Sequence, residues 1–118
     1  MPVSSCCYLA ADVDGKSVQT CEGLRQTAIG SRLQDAFLDR GALQCGYCTP
    51  GMLMAALSLV RLDPDASEED VRMYMSGNLC RCTGYAKILE AVMDVASCER
   101  PRGARGDEGP APAAGNRG

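Results

Sequence analysis

The chain carries two closely spaced cysteine pairs, Cys45-Gly46-Tyr47-Cys48 and Cys80-Arg81-Cys82, and no histidine at all. That combination limits what can be built. Without imidazole there is no Cys-His or Ser-His-Asp catalysis and no His-based pH switch. Any metal must be held mainly by thiolate or carboxylate. A tight loop of either spacing can aim both its sulfurs at one centre. The 31 residues between the pairs are enough for two helices and a turn. Four thiolates suit zinc or an iron–sulfur cluster, and spacing alone leaves both open. A thioredoxin-like role for Cys45-x-x-Cys48 is disfavoured because no βαβ pattern surrounds it.

Length allows one small domain, 118 residues in all. Eight cysteines in that length fall just below the density of small disulfide scaffolds, about 8–10%. Residues 1–30 hold no basic segment followed by an apolar run, so no signal peptide is expected. The longest apolar stretch, Met52 to Val60, is broken by Ser58 and is far short of the roughly 20 residues that span a bilayer. The expectation is a soluble cytoplasmic protein with no membrane partner, whose cysteines serve metal chemistry rather than disulfides. A net charge of −3 with no basic block argues against nucleic acid as a partner. With only four tyrosines and one phenylalanine, no base-stacking platform is expected either.

Three zones separate by composition. Residues 1–22 read as a β-hairpin: Tyr8 to Val13, an Asp14-Gly15 turn, then Ser17 to Thr20. Such a hairpin is marginal alone and needs something to pack on. Residues 23–100 carry helical periodicity in four apolar stripes. These are Ile29, Leu33, Ala36 and Phe37; Leu53, Ala56, Leu57 and Val60; Val71, Tyr74 and Met75; Ile88, Ala91, Val92 and Val95. Ser67 and Asp70 form a capping-box signal for the third helix, with Asp in place of the usual Glu or Gln. Residues 101–118 contain five Gly, three Pro and four Ala, and no large apolar residue. They cannot offset the entropy of ordering and are expected to form a disordered tail.

A weak internal repeat relates Gly41 to Thr49 with Gly77 to Thr83. Each copy follows one predicted helix and precedes another. Gly41 and Gly77 stand where a left-handed residue would end a helix. Thr49 and Thr83 stand where an N-cap belongs, and Pro50 suits a first helical position. The fold expected is mainly α: a four-helix bundle of two helix–cysteine loop–helix units with approximate two-fold symmetry, preceded by the short hairpin. The positive ends of two helices would then face the thiolates, which favours an anionic centre.

The segments LQCGYCTPGMLMAA (Leu43 to Ala56) and SGNLCRCTGY (Ser76 to Tyr85) closely resemble the two signature motifs of the iron–sulfur subunits of molybdenum hydroxylases. That family includes the small subunit of aerobic carbon monoxide dehydrogenase, xanthine dehydrogenase, isoquinoline oxidoreductase and aldehyde oxidoreductase. The resemblance covers roughly residues 3–98, with Tyr47 where Phe is common. It implies one 2Fe–2S cluster on Cys45, Cys48, Cys80 and Cys82, within a four-helix domain of pseudo-two-fold symmetry. It implies that Gln44 hydrogen-bonds the pterin edge of a molybdenum cofactor, and that Arg81 offsets cluster charge or bridges to a partner. Molybdopterin and FAD would reside on partners, a molybdenum-binding large subunit and an FAD-binding medium subunit. The chain itself would transfer electrons and have no substrate site.

At the N-terminus the resemblance is partial. The family's plant-ferredoxin-like domain holds a second cluster on four cysteines, and only the last has a counterpart here, Cys6. Residues 1–22 then read as the remnant of that domain, and Cys6 as an orphan ligand. Cys7, Cys21 and Cys98 are expected as small buried residues, although an orphaned hairpin would expose Cys6 and Cys7 to oxidation. Two alternatives stand beside this reading: a structural or interaction module built on a four-cysteine zinc site, and a truncated gene product without function.

Overall fold

A computed structural model describes residues 1–99. The proposed tail 101–118, and Arg100 before it, lie outside the described residues. Four helices make up the body: α1 Ala28–Asp39, α2 Thr49–Leu62, α3 Glu68–Met75 and α4 Ala86–Glu99. Each of the four apolar stripes falls within one of them. Leu33, Phe37, Leu53, Ala56, Leu57, Val60, Val71, Met75, Ile88, Ala91, Val92 and Val95 are all buried in one shared core. Ile29, Ala36 and Tyr74 pack against its edge.

Helix α2 is the central element. Met52, Ala55 and Leu59 are buried in addition to its stripe, so apolar contact surrounds most of the helix. It packs against α1, α3 and α4. Ser58, the polar break in its apolar run, accepts a hydrogen bond from Tyr74 Oη of α3 at 3.1 Å. A hydroxyl at the edge of the core is thereby satisfied rather than stranded.

Helix ends follow local chemistry. Ser67 starts α3 with a full capping box: Asp70 N–H donates to Ser67 Oγ at 3.2 Å, and Ser67 N–H to Asp70 Oδ2 at 3.0 Å. The shorter Asp side chain therefore suffices where Glu or Gln is usual. These bonds hold the Asp70 carboxyl below its ordinary range, the Ser67 hydroxyl first and its N–H next. Helix α1 closes on Gly41 at φ 59°, with Ala42 N–H donating to Phe37 O at 2.8 Å and Gly41 N–H to Leu38 O at 3.0 Å. This paired bonding is a Schellman ending, and buried Ala42 packs in the same core as Phe37. Gly77 behaves differently from the expectation: it is not among the left-handed residues, and α3 ends on a right-handed Ser76.

The N-terminal hairpin is not formed, and no strand occurs among the described residues. Ser5–Cys7 and Ala10–Val13 are short 3-10 turns instead. The Asp14-Gly15 turn is present, with Gly15 at φ 72° and Lys16 N–H bonded to Val13 O at 2.9 Å. Its flanks do not pair, and no third strand is present among the described residues for them to join. Lys16 Nζ instead donates to Tyr8 Oη at 2.8 Å. Cys6, Cys7 and Cys98 are exposed, against the expectation of burial for the last two; Cys21 is half-buried against the core.

A third 3-10 segment, Cys21–Gln26, joins the body by burying Leu24 beneath α1 and α2. Its approach to α1 depends on Gly30. A β-carbon there would lie 2.3 Å from Leu24 O and 2.6 Å from Thr27 Oγ1, the cap of α1. Replacing a helical glycine by alanine ordinarily gains about 1 kcal/mol, but here the obstacle is backbone. Gly30→Ala is therefore expected to lower the thermal midpoint by several degrees, whereas Gly23→Ala, which meets nothing within 4 Å, should leave it nearly unchanged. Thermal unfolding followed by circular dichroism checks both.

Candidate metal centre

The loop after α1 and the loop after α3 bring the two cysteine pairs together. Cys45 and Cys82, 37 residues apart, have their sulfurs at 3.5 Å. Cys48 and Cys80, from the same two loops, both pack against the core, and each influences the other's acidity. Each pair takes one thiol from each loop. Cys48 and Cys80 are half-buried, whereas Cys45 and Cys82 face solvent.

Further contacts tie the loops across the gap. Gln44 Nε2 donates to Cys82 O at 3.2 Å. Gln44 thus braces the opposite loop and not its own. Asn78 lies over the first turn of α2, where a β-carbon on Gly51 would come within 2.9 Å of Asn78 Oδ1. In the first loop, Gly46 takes φ 79° and its carbonyl accepts from Thr49 N–H at 3.3 Å. That reversal lets Cys45 and Cys48 share a side.

The two helix starts are unequal. α2 begins directly after Cys48, so Cys48 is the cap, Thr49 is the first helical residue and Pro50 follows it. This shifts the expected threonine cap by one residue. Thr49 Oγ1 is buried with no hydrogen-bond partner. α4 begins only at Ala86, so Thr83 is no cap either. Its hydroxyl accepts from Tyr85 N–H at 3.2 Å and lies 3.1 Å from Cys80 Sγ. Tyr85 has φ 69°, a left-handed conformation that costs a bulky residue about 1–2 kcal/mol. Its phenol accepts from Cys80 N–H at 2.8 Å and donates to Asn78 O at 3.0 Å. Asn78, Thr83 and Tyr85 thus shape the site, although sequence reasoning gave the first and last no role. The signal present was a hydroxyl three residues after a cysteine, followed by Gly-Tyr.

The thiols differ in acidity. The Thr83 hydroxyl, then the Thr83 and Cys82 N–H groups, draw Cys80 down to about 7. Burial pushes Cys48 up, with the Cys80 thiol adding to it. In the solvent-facing pair the Tyr47 N–H and then the Cys82 thiol lower Cys45, while Cys82, the donor, is raised by Cys45. Cys82 is thus the donor of this pair and Cys45 the acceptor. Arg81 is exposed and makes no ion pair among the described residues. Among those residues, no group of three or more Cys, Asp or Glu side chains is gathered to hold a single metal ion; the thiols stand as two pairs. That donor set, four soft sulfurs in two pairs from two loops, fits a polynuclear iron–sulfide centre.

Residues 20–93 match the model of the 2Fe-2S binding domain family. The chain belongs to that family. It is 50% identical over 91 residues to the nicotinate dehydrogenase small FeS subunit of Eubacterium barkeri, covering 77% of this chain and 58% of the relative. It is 52% identical over 92 residues to the nicotine 6-hydroxylase small subunit of Paenarthrobacter nicotinovorans, covering 78% and 55%. The fold superimposes on the crystal structure of quinoline 2-oxidoreductase from Pseudomonas putida 86 with a TM-score of 0.76 and 49% identity, over 86% of this chain and 64% of that one. The chain spans little more than half the length of these two curated relatives.

The acidity difference is directly measurable in metal-free, reduced protein. The thiolate is the nucleophile, so alkylation accelerates as pH rises through each group's pKa. Iodoacetamide labelling of Cys80 should reach half its maximal rate near pH 7, and that of Cys48 only at distinctly higher pH. Peptide mass spectrometry across pH 5–10 separates the two; coincident profiles would contradict the assignment.

Proposed function

We propose that Cys45, Cys48, Cys80 and Cys82 hold one 2Fe–2S cluster, and that the chain serves as an electron-transfer component of a molybdenum-containing hydroxylase or dehydrogenase. The observation that carries this is the meeting of the two cysteine loops, with Cys45 and Cys82 in contact and Cys48 and Cys80 both half-buried against the core. Membership of the 2Fe-2S binding domain family supports it. When bound, such a cluster accepts and releases one electron at a time.

The protein's own contribution is electrostatic and positional. A cluster with four thiolates carries a charge of about −2 oxidised and −3 reduced. The start of α2, directly after Cys48, offers the positive end of a helix to that charge. Thr49 Oγ1, buried without a protein partner, is a polar group beside Cys48 with capacity to spare. The two helix–loop–helix units, α1–α2 and α3–α4, support an approximately two-fold arrangement about the centre.

The partners inferred are a molybdenum-binding large subunit and an FAD-binding medium subunit, each holding its own cofactor. Tyr47 and Leu79 stand on the two cysteine loops and are 94% and 86% exposed. Large apolar side chains left in water beside the thiols suit a surface that another subunit covers. Gln44, exposed next to Cys82, is suited to hydrogen-bond the edge of a pterin brought by the large subunit, and Arg81 to meet that subunit's anionic groups.

Protein purified without oxygen should contain about two iron and two acid-labile sulfide per chain, absorb visible light and give a one-electron EPR signal on reduction. Cys80→Ala should abolish that spectrum, and Cys98→Ala, at an exposed site in α4, should keep it. A colourless protein with one zinc and no sulfide would establish the zinc module instead.

A further inference from the structure

The second cysteine loop contains a directional hydrogen-bond relay, and its meaning rests on the cluster reading above. Tyr85 N–H donates to Thr83 Oγ1 at 3.2 Å, and that oxygen lies 3.1 Å from Cys80 Sγ. Thr83 N–H is aimed at the same sulfur at 3.5 Å. A hydroxyl that accepts from Tyr85 still has its own hydrogen to give, and a thiolate can only accept. With Cys80 ionised, the Thr83 O–H therefore points at sulfur.

Tyr85 is held so that the relay persists. Its left-handed φ of 69° is kept by its phenol, which takes the Cys80 N–H at 2.8 Å and gives to Asn78 O at 3.0 Å. Turning the Tyr85 N–H away would break both bonds. Cys80, Thr83 and Tyr85 are all half-buried, so water competes weakly for these donors. The first loop has no equivalent, because Thr49, the counterpart of Thr83, has a hydroxyl with no hydrogen-bond partner.

We propose that Thr83 is a positioning residue that sets the reduction potential: its hydroxyl, aimed by the Tyr85 backbone, donates to the Cys80 sulfur and favours the reduced state. Reduction by a one-electron donor converts one ferric iron to ferrous. No bond forms or breaks and no proton is taken up, so the centre becomes more negative by one charge. A donor at a ligand sulfur stabilises the more negative state more strongly, which raises the potential.

The test uses the full chain loaded with its cluster, titrated with dithionite against mediators and followed by EPR and visible circular dichroism. Thr83→Val keeps the branched shape and removes the hydroxyl; Thr83→Ser keeps the hydroxyl. With iron and sulfide counted in each, Thr83→Val should lower the reduced-to-oxidised ratio at fixed potential about tenfold, a fall of about 59 mV. Thr83→Ser should stay close to the wild-type ratio. Thr83→Ala is the second hydroxyl-free variant and should fall in the same direction. An intact cluster with unchanged potential in Thr83→Val overturns this inference and leaves the cluster reading standing. A cluster kept by Thr83→Ser but lost from both hydroxyl-free variants also overturns it, because the hydroxyl would then serve assembly and not potential. A wild-type chain without iron and sulfide overturns both readings.

Discussion

Burial of α2 on nearly every side is the constraint from which the site follows. Its apolar run, Met52 to Val60, is satisfied only when α1, α3 and α4 enclose it. Enclosure fixes where the helix starts, and it starts one residue after Cys48. The loop from α3 is then seated on that start through Asn78 and Gly51. Two cysteine pairs distant in sequence are thus held at one end of a single core. No buried polar or charged residue is found among the described residues to disturb that packing.

The four thiols are not equivalent, and the differences have local causes. Cys80 has three donors around its sulfur that lower its pKa, while burial against the core raises that of Cys48. Every ligand must lose its proton before metal binds, so binding releases protons and depends on pH. The surrounding helices stabilise the ionised state unequally, since α2 starts at the site and α4 starts four residues beyond Cys82. The internal repeat is therefore closer in sequence than in hydrogen bonding. Gly41 closes α1 in a left-handed turn while Gly77 does not, and Thr83 meets a sulfur while Thr49 meets no partner.

The helices and their core were legible because the apolar spacing is regular and the Ser67–Asp70 box and Gly41 ending are local devices. The meeting of Cys45 with Cys82 was legible only through the repeat and the motif resemblance, since nothing local to either pair identifies the other. The N-terminal strands were misread because a good turn describes a hairpin's capacity, while its formation depends on further structure to pack against. Exposure of Cys98 was missed for a related reason: cysteine favours burial on average, but Cys98 lies on the outer face of α4. The part played by Tyr85 was hidden because a left-handed tyrosine runs against local preference and is sustained by bonds to Asn78 and Cys80.

The relatives named above are small iron–sulfur subunits of dehydrogenases and hydroxylases, and the geometry of this chain agrees with that company. Its central claim is that two irons sit between two loops in all-sulfur coordination. Mössbauer spectroscopy of protein enriched in iron-57 tests this most directly. The account predicts two ferric sites coupled to zero net spin in the oxidised protein, with one becoming ferrous on one-electron reduction. A single mononuclear iron site, or protein that binds zinc and incorporates no iron, would contradict it.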